Sequence, residues 1–171
     1  MSCRRKSFEP DRAFIFVPNM RKKMKIAVGS DMKNHVTDVV LAELRRRGYV
    51  VEAFGALVEA PAMWSKVALE VAEKVAQKQY DQAVLFCWTG TGVSLAANKV
   101  KGIRAALCSD AETARGARQW NDANILAMSL RTVSEQVAKE ILDAWFEAVP
   151  STDESDVACL AFLADAEERH T

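Results

Sequence analysis

The sequence predicts an α/β protein, a three-layer α/β/α sandwich on a five-stranded parallel, Rossmann-like sheet. Three observations carry that expectation. Short β-type runs alternate with stretches of helical apolar spacing along most of the 171 residues. The strand-like runs are apolar almost throughout, as in strands buried on both faces. Half of the residues are hydrophobic, enough for one ordinary core, and the length fits one domain on a prior of about 100–200 residues.

The elements follow in order. Residues 25–29 (KIAVG) form a short apolar strand. Val36, Val39, Val40 and Leu44 recur at helical spacing, and Gly48 is placed to end that helix. Residues 49–54 give the second strand. Pro61 breaks the chain before an amphipathic helix over 65–77, with Val67, Ala68, Val71 and Val75 on one face. Strands are expected at 82–86, 103–107 and 125–128. Helices are expected from the Thr/Gly loop to about 99, at 111–120 and at 133–146. After Pro150 a polar acidic link, STDESD, leads to a further helix over 157–168 with Val157, Leu160, Ala161 and Ala164 on one side. The chain thus divides into 1–23, an N-terminal extension, 24–149, the α/β domain, and 150–171, a linker and tail helix that packs on its own subunit or on a partner.

Composition narrows the function classes. Lys+Arg and Asp+Glu are 23 each, so no basic excess points to nucleic acid. No apolar run nears the roughly 18 residues of a membrane span. The 1–23 segment is basic, with seven Lys or Arg against Glu9 and Asp11. Its apolar part stops at Pro18, and no small-residue cleavage pattern follows. It reads as a start-site artefact, with Met24 or Met20 opening the protein, or as a disordered arm. Cys3, Cys87, Cys108 and Cys159 are widely spaced, and the histidines are His35 and His170. That pattern gives no disulfide framework and no zinc site, so no metal or organic cofactor is expected. Free thiols fit the reducing cytoplasm.

The run VLFCWTGTGVSLAANK, residues 84–99, carries the chemistry. A strand ends in Cys87, a Thr/Gly loop follows, and a helix begins. Glycines admit close backbone approach, and the first amides of a helix lack internal partners. A thiol therefore stands beside a place for a negative oxygen. Read alone, Cys87 is more readily an inert core residue than a base, and the glycine loop could be a turn that binds nothing.

TGTGVSLAANK, GIRAALCSD and NDANILAMSLR follow one another with short gaps. Together they resemble the ribose-5-phosphate isomerase B / galactose-6-phosphate isomerase family over residues 24–146. The resemblance implies an aldose–ketose isomerase acting on a small sugar or sugar phosphate of pentose, tetrose or hexose type. It implies Cys87 as the base that takes the C2 proton, and Thr89 as a hydroxyl active in ring opening. The amides of Gly90, Gly92, Val93 and Ser94 would form the oxyanion hole. Asp31 and Asn121 match residues that contact substrate, although each could instead be a helix cap. The family also implies a homodimer, or a tetramer, with active sites between subunits and the C-terminal segment reaching the neighbour.

Departures from the family pattern bear on the substrate. Asp31–Met32 stands where Asp-His is usual, and Trp120–Asn121–Asp122 where His-Asn-Asp is usual. That second histidine is the family's ring-opening acid/base, and tryptophan transfers no proton at neutral pH. Trp88 replaces a small residue; like Trp120 it could stack on a sugar face or fill space. The family's phosphate-holding C-terminal arginines are missing. Arg115 and Arg118, near the end of their helix, are candidate replacements, or a solvated face. A substrate that is acyclic anyway, such as a tetrose phosphate, would need no ring-opening group. The competing reading is a non-catalytic sugar-phosphate-binding or partner subunit.

Overall fold

The computed structural model describes residues 23–58 and 61–169. The 1–22 part of the N-terminal extension lies outside the described residues. Eleven elements follow one another as β1 (Lys25–Ser30), α1 (His35–Arg46), β2 (Val50–Gly55), α2 (Trp64–Ala76), β3 (Gln82–Cys87), α3 (Thr91–Ala97), β4 (Ala105–Leu107), α4 (Ala111–Asn121), β5 (Ile125–Ser129), α5 (Glu135–Glu147) and α6 (Glu154–Arg169). The five strands make one sheet in the order β2-β1-β3-β5-β4. Every pairing in it is parallel. The expected fold is the observed one.

Strand periodicity sorts the side chains between two cores. Val84 and Phe86 of β3 join Ile26, Val28, Leu126 and Met128 beneath α1, α4 and α5. Ala83, Leu85 and Cys87 point the other way, into a core made with Val67, Val71, Val75 and Val93 of α2 and α3. Cys87 therefore lies on the α2/α3 face because it is two residues from Leu85 and four from Ala83. The largest fully buried side chain, Trp145, anchors α5, and its indole N–H donates to Gln82 Oε1 at 2.7 Å.

Boundaries shift where side chains end the elements. Asn34 caps α1: its Oδ1 accepts from the Thr37 amide while Thr37 Oγ1 accepts from the Asn34 amide. Helix α3 stops short of residue 99 because Asn98 bonds sideways, donating to the Ser94 and Ala105 carbonyls and accepting from the Ala105 amide. Strand β4 begins at Ala105 rather than 103, since the Arg104 amide is taken by Asn124 Oδ1. The tail helix α6 has no buried residue, and Val157, Phe162 and Leu163 are exposed. No helix among the described residues is long and apolar enough to cross a membrane.

Candidate active site

In a parallel α/β sheet, ligand crevices open at the carboxyl ends of strands where the connections diverge to opposite faces. Here that point lies between β1 and β3. The chain leaves β1 for α1 on one face and leaves β3 for α3 on the other. Ser30 stands opposite Phe86 in the register, so the next residues, Asp31 and Cys87, face each other across the crevice. A cavity of about 320 Å³ opens there, lined by Asp31, Trp64, Cys87, Trp88, Thr89, Thr91 and Gly92.

The thiol is held from behind. The Cys87 carbonyl accepts from the Leu130 amide at 3.1 Å, and the Trp88 carbonyl accepts from the Arg131 amide at 3.0 Å and the Ser129 hydroxyl at 3.0 Å. The loop after β5 thus fixes the end of β3. Cys87 is only 5% exposed, but that small exposure is on the cavity wall. The chain then turns through Gly90, whose φ is +75°. A Cβ there would lie 2.4 Å from Leu107 Cδ1 and 3.0 Å from the Met128 carbonyl carbon. Both the left-handed backbone and the close approach require glycine.

As the opening residues of α3, Thr91, Gly92 and Val93 have amides without partners inside the helix. Ser94 differs from expectation. Its amide already donates to the Gly90 carbonyl at 3.2 Å, and its hydroxyl donates to the Ala105 carbonyl. It closes the first helical turn and offers no amide to a ligand. The Val93 side chain is fully buried. The hydroxyls of Thr89 and Thr91 hydrogen-bond to each other at 2.7 Å.

Asp31 is not a cap, since Asn34 fills that position. Its Oδ1 is shut off from solvent and accepts no hydrogen bond from the protein. Burial pushes its carboxyl above the usual aspartate value, and its own backbone amide opposes this only partly. Cys108 shows the opposite fate for a thiol. It is sealed in the core, and burial pushes it up to about 12, with Asp110 adding to the effect. Only Cys87 of the two buried thiols borders a cavity near the strand ends.

The structure does not bring the α4 candidates to this cavity within one subunit. Trp120 and Asn121 line two other cavities toward the β4 edge, one of them walled by Phe162 and Leu163 of α6. Asn121 ends α4, and the left-handed cap is Asp122, at φ +40°. Arg118 is turned inward, donating to Asp122 Oδ1 and the Ala123 carbonyl and lying 5.6 Å from the Trp145 ring centroid. Only 11% of its side chain is exposed, so it braces the α4 terminus and presents no charge to solute. Arg115 pairs with Glu112 on the outer face of α4. His35 is exposed and paired with Glu135 at the start of α5, on the face opposite Cys87.

Two cavity residues escaped the sequence reading. Trp64 is the first residue of α2, and its ring lies about one van der Waals contact from the Gly92 α-carbon: a Cβ on Gly92 would stand 3.0 Å from Trp64 Cε3. The available signal was topological, since the helix following a strand starts at the same sheet edge as the strand tips. Thr91 entered only as part of the glycine loop.

The comparisons agree with one another. The family model described as Ribose/Galactose Isomerase matches residues 26–158. Ribose-5-phosphate isomerase B of Escherichia coli is 40% identical over 125 residues, covering 72% of this chain and 84% of that protein. D-erythrulose-4-phosphate isomerase of Pectobacterium atrosepticum is 35% identical over 132 residues, covering 73% and 84%. The solved ribose-5-phosphate isomerase B of Clostridium thermocellum superposes with a TM-score of 0.81 at 36% identity, covering 86% of this chain and all of that one.

Proposed function

Since this chain belongs to the ribose/galactose isomerase family, we propose that it interconverts the aldose and ketose forms of a small sugar phosphate, with Cys87 as the base at carbon. The observation that carries this reading is the shared cavity. Cys87 at the tip of β3, Asp31, and Thr91 and Gly92 with their open amides all border it. The thiolate of Cys87 takes the C2 proton, the electron pair forms an enediolate, and the thiol returns the proton to C1. Amides at the start of α3 stabilise the charge that develops on oxygen. Thr89, hydrogen-bonded to Thr91 on the wall of the same cavity, serves the substrate oxygens on this reading.

The substrate class extends below pentoses. One relative is named for a four-carbon phosphate. The position at which the family carries its ring-opening histidine is Trp120 here. A tetrose 4-phosphate has no free hydroxyl with which to close a five-membered ring, so it arrives open. Trp64 and Trp88 supply aromatic walls against which such a chain packs. The enzyme works as a homodimer in the cytoplasm on this reading. The exposed apolar side chains of α6 and the cavity it shares with Trp120 and Asn121 support a second subunit closing that face.

Incubation in deuterated water with tetrose, pentose and hexose phosphates and the corresponding free sugars tests the assignment. The expected result is solvent deuterium at C1 or C2 of at least one sugar phosphate, with ketose formed. A blank panel at high protein concentration would replace the enzyme by a sugar-phosphate-binding member of the family.

A further inference from the structure

Resting on the isomerase reading, we propose that Trp64 sets the substrate specificity of the site: its indole narrows the way to Cys87, so that a short open sugar chain is accepted in preference to a longer or ring-closed one. The exposure of the cavity residues orders them by depth. Cys87 is 5% exposed and lies deep, whereas Trp64 is 44% exposed and stands at the rim. A substrate whose C1–C2 unit reaches the sulfur therefore extends past the indole on its way out. No Lys or Arg is among the described residues of the wall. The cavity thus takes the carbon chain, and the phosphate stays outside it.

The indole has no room to withdraw toward α3. A Cβ on Gly92 would stand 3.0 Å from Trp64 Cε3, 3.1 Å from Cδ2 and 3.3 Å from Cζ3, so ring and backbone leave no gap for a methyl group. Nor can the ring retreat with its helix, because α2 is anchored in the core by Val67, Ala68, Val71 and Val75. Trp64 itself has no part in the core. It joins neither buried cluster, and nearly half of its surface meets solvent. A large aromatic group held at a cavity rim and outside the core is suited to cover the apolar C–H side of a ligand. It also limits the width that passes. An extended four-carbon chain is one carbon wide, whereas a pentose phosphate closes to a five-membered ring several atoms across. The misfit of one carbon in an apolar wall discriminates by about 10- to 200-fold.

The test compares wild type, Trp64→Ala and Trp64→Phe on D-erythrose 4-phosphate and D-ribose 5-phosphate, with kcat and KM measured for each sugar. Wild type is expected to prefer the tetrose phosphate. In Trp64→Ala the ratio of kcat/KM for the pentose phosphate to that for the tetrose phosphate is expected to rise at least about tenfold, chiefly through KM. Trp64→Phe, which keeps an aromatic ring of smaller area, is expected to fall between the two. Alanine suits a helical position, so the circular dichroism of Trp64→Ala is expected to match wild type; if that variant did not fold, the ratio for Trp64→Phe would decide. An equal change on both sugars would make Trp64 a structural support and overturn the proposal, as would an unchanged ratio. A wild type that preferred ribose 5-phosphate would also overturn it while leaving the isomerase reading intact. If wild type turned over no sugar phosphate at all, the isomerase reading itself would fall, and this proposal with it.

Discussion

At the residue scale, Asp31 is where function and stability oppose each other. Its carboxyl is raised above 3.8 by burial, so the ionised form is disfavoured in the folded protein. The sign follows from linkage: stability from this group is complete below its unfolded value and is lost as pH rises through the higher folded value. Asp31→Asn removes a charge that costs stability at neutral pH. The variant is therefore expected to melt above wild type near neutrality, by a few degrees at most, and the gap is expected to close as both are acidified below 3.8. Thermal melts across that range check it; a variant that melts lower at neutral pH would show that the carboxylate is stabilised by contacts the buried oxygen lacks. Cys87, Thr89, Gly92 and the turn glycine Gly90 were legible in sequence because strand, thiol and glycine loop are contiguous. Asp31 was legible as a residue past a strand tip, but not the enclosed, unpartnered state of its Oδ1, which only the folded arrangement shows. Trp64 escaped notice because it is far from the motif in sequence and meets Gly92 only once α2 folds over β3. Ser94 was misread as an amide donor because a short helix closes its first bond at that residue.

At the element scale, α1 is tied to its surroundings by charge as well as by Val36, Val40 and Leu44. Glu43 accepts from Arg46 Nε at 2.8 Å and Nη2 at 2.7 Å, and from Arg47 Nε at 2.8 Å. Arg47 also reaches Asp143 of α5 at 2.6 Å. The hydrogen bonds from Arg46, aided by Arg47 and resisted by desolvation, lower the Glu43 carboxyl to about 2. Stability from Glu43 is thus present above 4.5 and disappears as pH falls through about 2. Glu43→Gln is expected to cost about 2 kcal/mol near neutral pH, the scale of lost hydrogen bonds to a charged group. Urea unfolding measures it, and the difference from wild type is expected to shrink on acidification from 4.5 toward 2. An equal difference at every pH would place the effect in packing instead. The apolar spacing foretold each of these helices. It did not foretell that α3 would end at Ala97, which Asn98 decides by bonding across to Ala105, nor that α6 would bury nothing.

At the scale of the molecule, the sheet order brings the site together. Diverging connections open a crevice between β1 and β3, and strand alternation turns Cys87 toward α2 and α3 rather than toward α1. Alternating apolar runs foretold the parallel sheet with its sites beyond the strand ends, but neither the strand order nor the face to which Cys87 turns. The cavity beneath α6, with Trp120 and Asn121, and the cavity at the thiol lie at separate parts of the sheet edge within one subunit. The account stands on Cys87 as the base at carbon. The direct measurement is deuterium incorporation from solvent into a turned-over sugar phosphate by Cys87→Ala, beside circular dichroism and a thermal melt. Exchange is expected to fall by at least about a thousandfold, while the variant keeps the wild-type spectrum and a melt within a few degrees. A folded Cys87→Ala protein that exchanged label at the wild-type rate would contradict the account.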